Sequence, residues 1–233
     1  MTEQTRRIFI RSGLIAGASV VWGAGLVRGA NEKINDQDED EVSPAEDLMR
    51  EHGVLKRVLL VYGEVIRRID ANQDLDPGVV MDSAKIIRSF IEDYHEKLEE
   101  NFLFPRFKKA GKLTDLVDVL LHQHQGGRRL TDLTMQFATN QALKNTENRR
   151  KLGDSLREFI RMYNPHEARE DTVLFPEFRK IVSKNEYDSL GEDFEKKEHE
   201  LFGEDGFEKM VDKVAGIEKQ LGIYDLAQFT PKV

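Results

Sequence analysis

The sequence predicts an all-α protein built as an up-down four-helix bundle with two extra C-terminal helices. Three observations carry this. Four long segments place apolar residues at alternating steps of three and four, the period of a helix with one buried face. The segments between them are short, which favours antiparallel neighbours. Two successive halves of the chain also repeat one another at a spacing of 71–72 residues, so two similar helical hairpins follow in series. The composition agrees: 233 residues are enough for one sizeable core, and 39 % hydrophobic positions are too many for a disordered chain. There is no cysteine, which excludes disulfides, thiolate metal sites and a cysteine nucleophile. Any metal must therefore be held by His, Asp or Glu.

Residues 1–30 read as an address. Arg6-Arg7-Ile8-Phe9-Ile10-Arg11 precedes an uncharged run rich in small residues, Ser12 to Val27, which is shorter than a membrane-spanning helix. The paired arginines followed by x-Phe-Ile resemble a twin-arginine export signal. That resemblance implies a periplasmic or cell-envelope location, with membrane contact only through this signal. The only tryptophan, Trp22, lies here. Residues 31–42 are acidic and almost free of apolar groups, and read as a solvated linker. The whole chain carries −8; its first thirty residues carry +3, leaving −11 for the body, which argues against nucleic acid as a partner.

The bundle is expected over 43–180. Ser43-Pro44-Ala45-Glu46 is a capping box with proline in the first turn, and opens a helix to about residue 72 with stripe Leu55, Leu59, Tyr62, Ile66, Ile69 and His52 on the same face. Asp76-Pro77 opens the second helix, with stripe Ile87, Ile91, His95, Leu98, Phe102 and Pro105 expected to stop it. The third begins near Thr114 and reads Val117, Leu120, His124, Gly127, Thr131, Met135. The fourth begins near Thr146 and reads Leu152, Leu156, Phe159, Tyr163, His166, Glu170, Val173. It is expected to kink at Pro165 and to end at Pro176. Residues 181–233 are expected to pack on the bundle. Ser183-x-x-Glu186 caps a helix to about Phe202, and another runs from Gly206 to Leu221, stopped by Gly222.

The repeat carries the chemistry. His52 and His124 lie 72 residues apart, while His95 and His166, Glu99 and Glu170, and Leu103-Phe104-Pro105 and Leu174-Phe175-Pro176 lie 71 apart. Each hairpin thus supplies one lone His and one His-x-x-x-Glu, a spacing that puts both donors on one helical face. A single His on an apolar stripe is more often a hydrogen-bonded core residue than a ligand. Four of the six histidines at repeated core positions are different. With two inward carboxylates and no Lys or Arg on the stripes, they need a shared cationic partner. The candidate metal ligands are His52, His95, Glu99, His124, His166 and Glu170, arranged so that each of two ions receives two imidazoles and one oxygen from each Glu. Donor chemistry does not choose among iron, manganese and zinc. His122 and His199 read as surface residues, and Tyr163 as packing, the alternative being that it lines or touches the metal pocket. Gly126-Gly127 weakens a helix and is explained by a close helix approach beside His124.

Glu51-His52, His95-Glu96-x-x-Glu99, His124 followed by Gly127-Arg128, and His166-Glu167-x-x-Glu170, with Leu-Phe-Pro after each paired motif, resemble the hemerythrin-like (HHE cation-binding) family over about residues 44–180. The resemblance implies two non-haem iron ions bridged by Glu99 and Glu170, with the four histidines as terminal ligands. The pattern departs from the oxygen-carrying members at one point. They use a fifth His through a His-x-x-x-His pair on the third helix, whereas the positions four residues either side of His124 are Leu120 and Arg128. The expected ligand is dioxygen or another small diatomic or peroxide, bound for storage or sensing. The alternatives are a redox enzyme that removes peroxide, oxygen or nitric oxide, working with an unidentified redox partner, or an iron-handling protein. No separate catalytic residue is evident.

Overall fold

The computed structural model describes residues 42–232; the expected export signal and most of the acidic linker lie outside them. The described residues form helices without a strand. Helix α1 spans Pro44–Asp70, with Ser43 accepting from the Glu46 N–H at 3.4 Å. Asp76 caps the next helix through Gly78 N–H at 2.8 Å. That helix begins as Pro77–Ile86, passes through π-helical stretches at Ile87–His95 and Glu99–Leu103, and ends as Phe104–Ala110. We treat 77–110 as one rod, α2. Gly111, at φ 64°, adopts the left-handed conformation that closes it.

Helix α3 spans Thr114–Phe137, and a single turn, α4, covers Asn140–Leu143. Helix α5 begins as Thr146–Arg169, capped by Asn145, passes through a π stretch at Glu170–Leu174 and ends as Phe175–Ile181. Helices α6 (Lys184–Phe202) and α7 (Gly206–Leu221) follow. Gly222 at φ 73° ends α7, as its position predicts.

Two of the prolines do not act as expected. Pro105 and Pro176 fall in the first turn of a continuing helix and stop neither rod. In each case the residue before proline, Phe104 or Phe175, donates its N–H five residues back, to the carbonyl of Glu99 or Glu170. The wide turn inserts one extra residue into the helical count. It also moves the buried stripe: Phe102 and Val173 are only half-buried, while Leu103 and Leu174 are completely buried. Helix α5 continues through Pro165.

Contacts run α1–α2, α2–α3, α3–α5 and α5–α1, closing a four-membered ring, and the rod ends 104–110 and 175–181 meet each other. The core is continuous, with Val58, Tyr62, Phe90, Ile91, Leu120, Leu156 and Phe159 nearly inaccessible. Helices α6 and α7 lie over α1 and α2. Phe194 meets Phe102 edge-on at 5.6 Å, and Phe202 contacts Phe90 and Tyr94. Arg57 of α1 forks onto Glu218 of α7 through Nε at 3.0 Å and Nη2 at 2.5 Å.

Candidate metal centre

The repeat places the six predicted residues at one level of the ring, all buried: His52 on α1, His95 and Glu99 on α2, His124 on α3, His166 and Glu170 on α5. The donors gather in two sets, His52–His95–Glu99 and His124–His166–Glu170, with one ligand atom from each residue lying within 4.8 Å of the others in its set. The two sets face each other across the core. His52 Nε2 is 3.4 Å from Glu170 Oε2, and His124 Nε2 is 3.4 Å from Glu99 Oε2. Within their own rods, His166 Nε2 lies 3.0 Å from Glu170 Oε1, and His95 Nε2 lies 3.8 Å from Glu99 Oε2. Each carboxylate thus reaches both hairpins, the placement a bridging ligand requires.

All four imidazoles present the same nitrogen inward because the other is held from behind. His52 Nδ1 donates to Asp171 Oδ1 at 2.7 Å, and His95 Nδ1 to Glu51 Oε2 at 2.7 Å. His124 Nδ1 donates to Glu100 Oε1 at 3.1 Å, and His166 Nδ1 to Gln123 Oε1 at 2.9 Å. Acceptor oxygens require N–H at Nδ1, which leaves Nε2 as the free donor aimed into the site. Phe175 stacks on His52 at 5.6 Å and Phe104 on His124 at 5.5 Å, so the Phe of each Leu-Phe-Pro locks the lone His of the other hairpin.

These supporting residues extend the repeat. Glu51 and Gln123 are 72 apart, while Glu100 and Asp171, and Phe104 and Phe175, are 71 apart. The same self-comparison that picks out the ligands would have found them. Asp171, one residue after Glu170, turns away from the centre and holds His52.

The electrostatics are those of a site assembled for cations. Neither oxygen of Glu99 or of Glu170 has a hydrogen-bond partner, and neither does His124 Nε2, although all are buried. Burial, and next the charge of Glu170, push the Glu99 carboxyl well above its ordinary range. Burial opposes charge on Glu170 as well, but His166 and His52 outweigh it and hold that carboxyl low. Burial also works against a charged His52, yet the hydrogen bond to Asp171 and the Glu170 carboxylate 3.4 Å away raise it to about 10. His124 falls to about 4 and His95 drops well below 6.5, both chiefly through burial. Four buried carboxylate oxygens without a donor are costly unless cations share them. The donor set therefore fits a pair of ions bound by nitrogen and oxygen.

Tyr163 packs edge-on against His166 at 5.3 Å and donates to Glu96 Oε1 at 2.6 Å. A Cβ on Gly127 would lie 2.1 Å from Tyr163 Oη, so the expected close approach is real and is made by this phenol. Gly126 has no such constraint, its nearest neighbour being 3.4 Å away. His122 and His199 are exposed.

Residues 43–145 match the model of the hemerythrin HHE cation-binding domain. This span is a domain of the hemerythrin HHE family. The matched span covers the first hairpin and α3, and α5 supplies the remaining donors. Three curated relatives, one from Mycobacterium bovis and two from strains of Mycobacterium tuberculosis, are each 53 % identical over 195 residues. The alignment covers 84 % of this chain and 76 % of each relative, and all three are described as uncharacterized. No solved structure matches the chain. As an HHE protein with two buried His/Glu clusters, it is a metal-binding helical bundle.

Proposed function

We propose that this protein holds two iron ions and binds dioxygen, or a related small ligand such as peroxide or nitric oxide, for storage or sensing. The single observation that carries the reading is the convergence of four inward imidazole Nε2 atoms on two buried carboxylates whose four oxygens have no hydrogen-bond partner. Iron follows from the family, since the nitrogen and oxygen donors alone also suit manganese or zinc. When bound, the ions supply open coordination positions and electrons for a small oxidant.

The chain's own residues do the rest. Asp171, Glu51, Glu100 and Gln123 fix the imidazole tautomers. Phe104 and Phe175 wall the cluster from water. Tyr163 closes the α3–α5 side through Gly127.

A second reading, redox turnover of peroxide, oxygen or nitric oxide, is favoured by Arg128. This residue stands one turn beyond His124, at one of the two positions, with Leu120, where a further His would complete the His-x-x-x-His pair of the family's oxygen carriers. Its guanidinium is engaged with Glu96 at 2.6 Å and Glu100 at 2.7 Å. Export by the twin-arginine route to the periplasm or cell envelope, and a separate redox partner, complete the proposal.

Metal analysis after anaerobic iron loading should return about two irons per chain; one or none defeats the reading. Stopped-flow spectra then separate the functions. A stable, reversible change with oxygen supports binding, and rapid repeated consumption of peroxide or oxygen supports turnover. Glu99→Ala and Glu170→Ala should each lose paired binding, because no neighbouring carboxylate is placed to bridge.

A further inference from the structure

The two halves of the site repeat in sequence, yet the groups behind their histidines are not equivalent. In the first half, His52 and His95 each donate Nδ1–H to a carboxylate, Asp171 and Glu51, at 2.7 Å. In the second half, His166 donates to the neutral amide of Gln123. His124 donates to Glu100 over a longer 3.1 Å, and that carboxylate is already engaged by Arg128 at 2.7 Å and Lys97 at 2.5 Å. Among the described residues, the ion pairs Lys56–Glu167 and Arg128–Glu96 occupy repeat-related positions and so largely cancel in the comparison.

A carboxylate behind an imidazole makes it a more basic ligand and offsets the charge of a bound cation; an amide does so much less. We propose that the two halves are unequal. The His52–His95–Glu99 half retains its cation, the His124–His166–Glu170 half is the one that empties and refills, and Gln123 is the positioning residue that sets the difference. This inference rests on the two-ion reading above and deepens it by assigning exchange to one half.

The test uses the full chain loaded anaerobically with iron(II), then challenged with a chelator and followed by native mass spectrometry. The wild type should lose its ions in two phases, through a species that holds one ion. Gln123→Glu keeps the shape of the side chain and should slow the fast phase by about 10-fold, the lower end of the range for a supporting partner. Glu51→Gln should speed the slow phase by a similar factor. Far-UV circular dichroism verifies the fold of each variant, and either variant alone can decide the matter. Loss of both ions in a single phase overturns the proposal. So does a Gln123→Glu effect confined to the slow phase, or no effect on either phase. Uptake of fewer than two ions would instead overturn the two-ion reading itself.

Discussion

Glu99 is the residue at which stability and function pull hardest against each other. Its carboxyl is inaccessible and faces another carboxyl, and burial drives it toward the neutral form. A neutral isostere relieves that conflict. We therefore expect Glu99→Gln, stripped of metal by a chelator, to melt no lower than equally stripped wild type, and higher by roughly 2–4 °C per kcal/mol of repulsion removed. The same variant should lose paired metal binding. A clear fall in its metal-free melting temperature would contradict the repulsion argument.

His52 gives the pH dependence. Its folded-state pKa is raised to about 10 from 6.5, so at neutral pH it carries a proton that a metal must displace from Nε2. Metal uptake at pH 7 should release protons, and apparent affinity should rise with pH until the proton is lost near 10. Calorimetric titration in buffers of different ionisation enthalpy checks this; uptake with no proton release would refute it. At this scale the sequence was generous with the ligands and poor with what holds them. The six donors stand out because His and Glu on an apolar stripe are chemically conspicuous. Glu51, Glu100, Gln123 and Asp171 share the repeat, but charged and amide side chains next to a stripe look like solvated surface until a partner from another helix is known.

Among the elements, the π-helical stretches decide where the site's walls fall. Glu99 and Glu170 each open such a stretch, and each accepts the N–H of the Phe that will stack on a histidine. Inserting an alanine after Asn101, an exposed residue within the Glu99–Leu103 stretch, should add a second extra residue that the wide turn cannot absorb. Everything after it would rotate by about 100°. Phe104 would leave His124, so we expect helical content to survive while metal stoichiometry falls, as circular dichroism and metal analysis would show. Unchanged metal content would mean that the wide turn is incidental. Nothing in the residue types announced these turns. Proline after an apolar pair reads as a helix stop, and only the unbroken rods reveal that the missing proline N–H is accommodated by a bond from the preceding residue. Helix starts, in contrast, were legible from local chemistry. Ser43, Asp76 and Ser183 each accept from an early backbone N–H of the helix they precede.

On the scale of the whole molecule, α6 and α7 cover one side of the ring. Phe90 and Tyr94 of α2 are buried partly under Phe202, and Arg57 of α1 is tied to Glu218. Truncation after Ile181 would expose this apolar face, and large exposed patches of that kind drive association. We expect a truncated chain to be recovered mainly in the insoluble fraction or as oligomers; a soluble, monomeric product with full metal content would show the cover to be dispensable. No described helix is long and apolar enough to cross a membrane. The cover was legible as helices from the capping box and the closing glycine. The aromatic residues through which it grips α2 were not, because their partners lie far away in sequence.

The clamps on His52 and His124 are exchanged between halves: each hairpin lends the other an acid and an aromatic ring. A hairpin on its own would therefore have a solitary imidazole with nothing to steer it. Cation capture and the meeting of the halves are, for that reason, one event. A hairpin pairing with an identical copy of itself would have possessed every one of these reciprocal grips from the outset, before any linker joined the two into a single polypeptide.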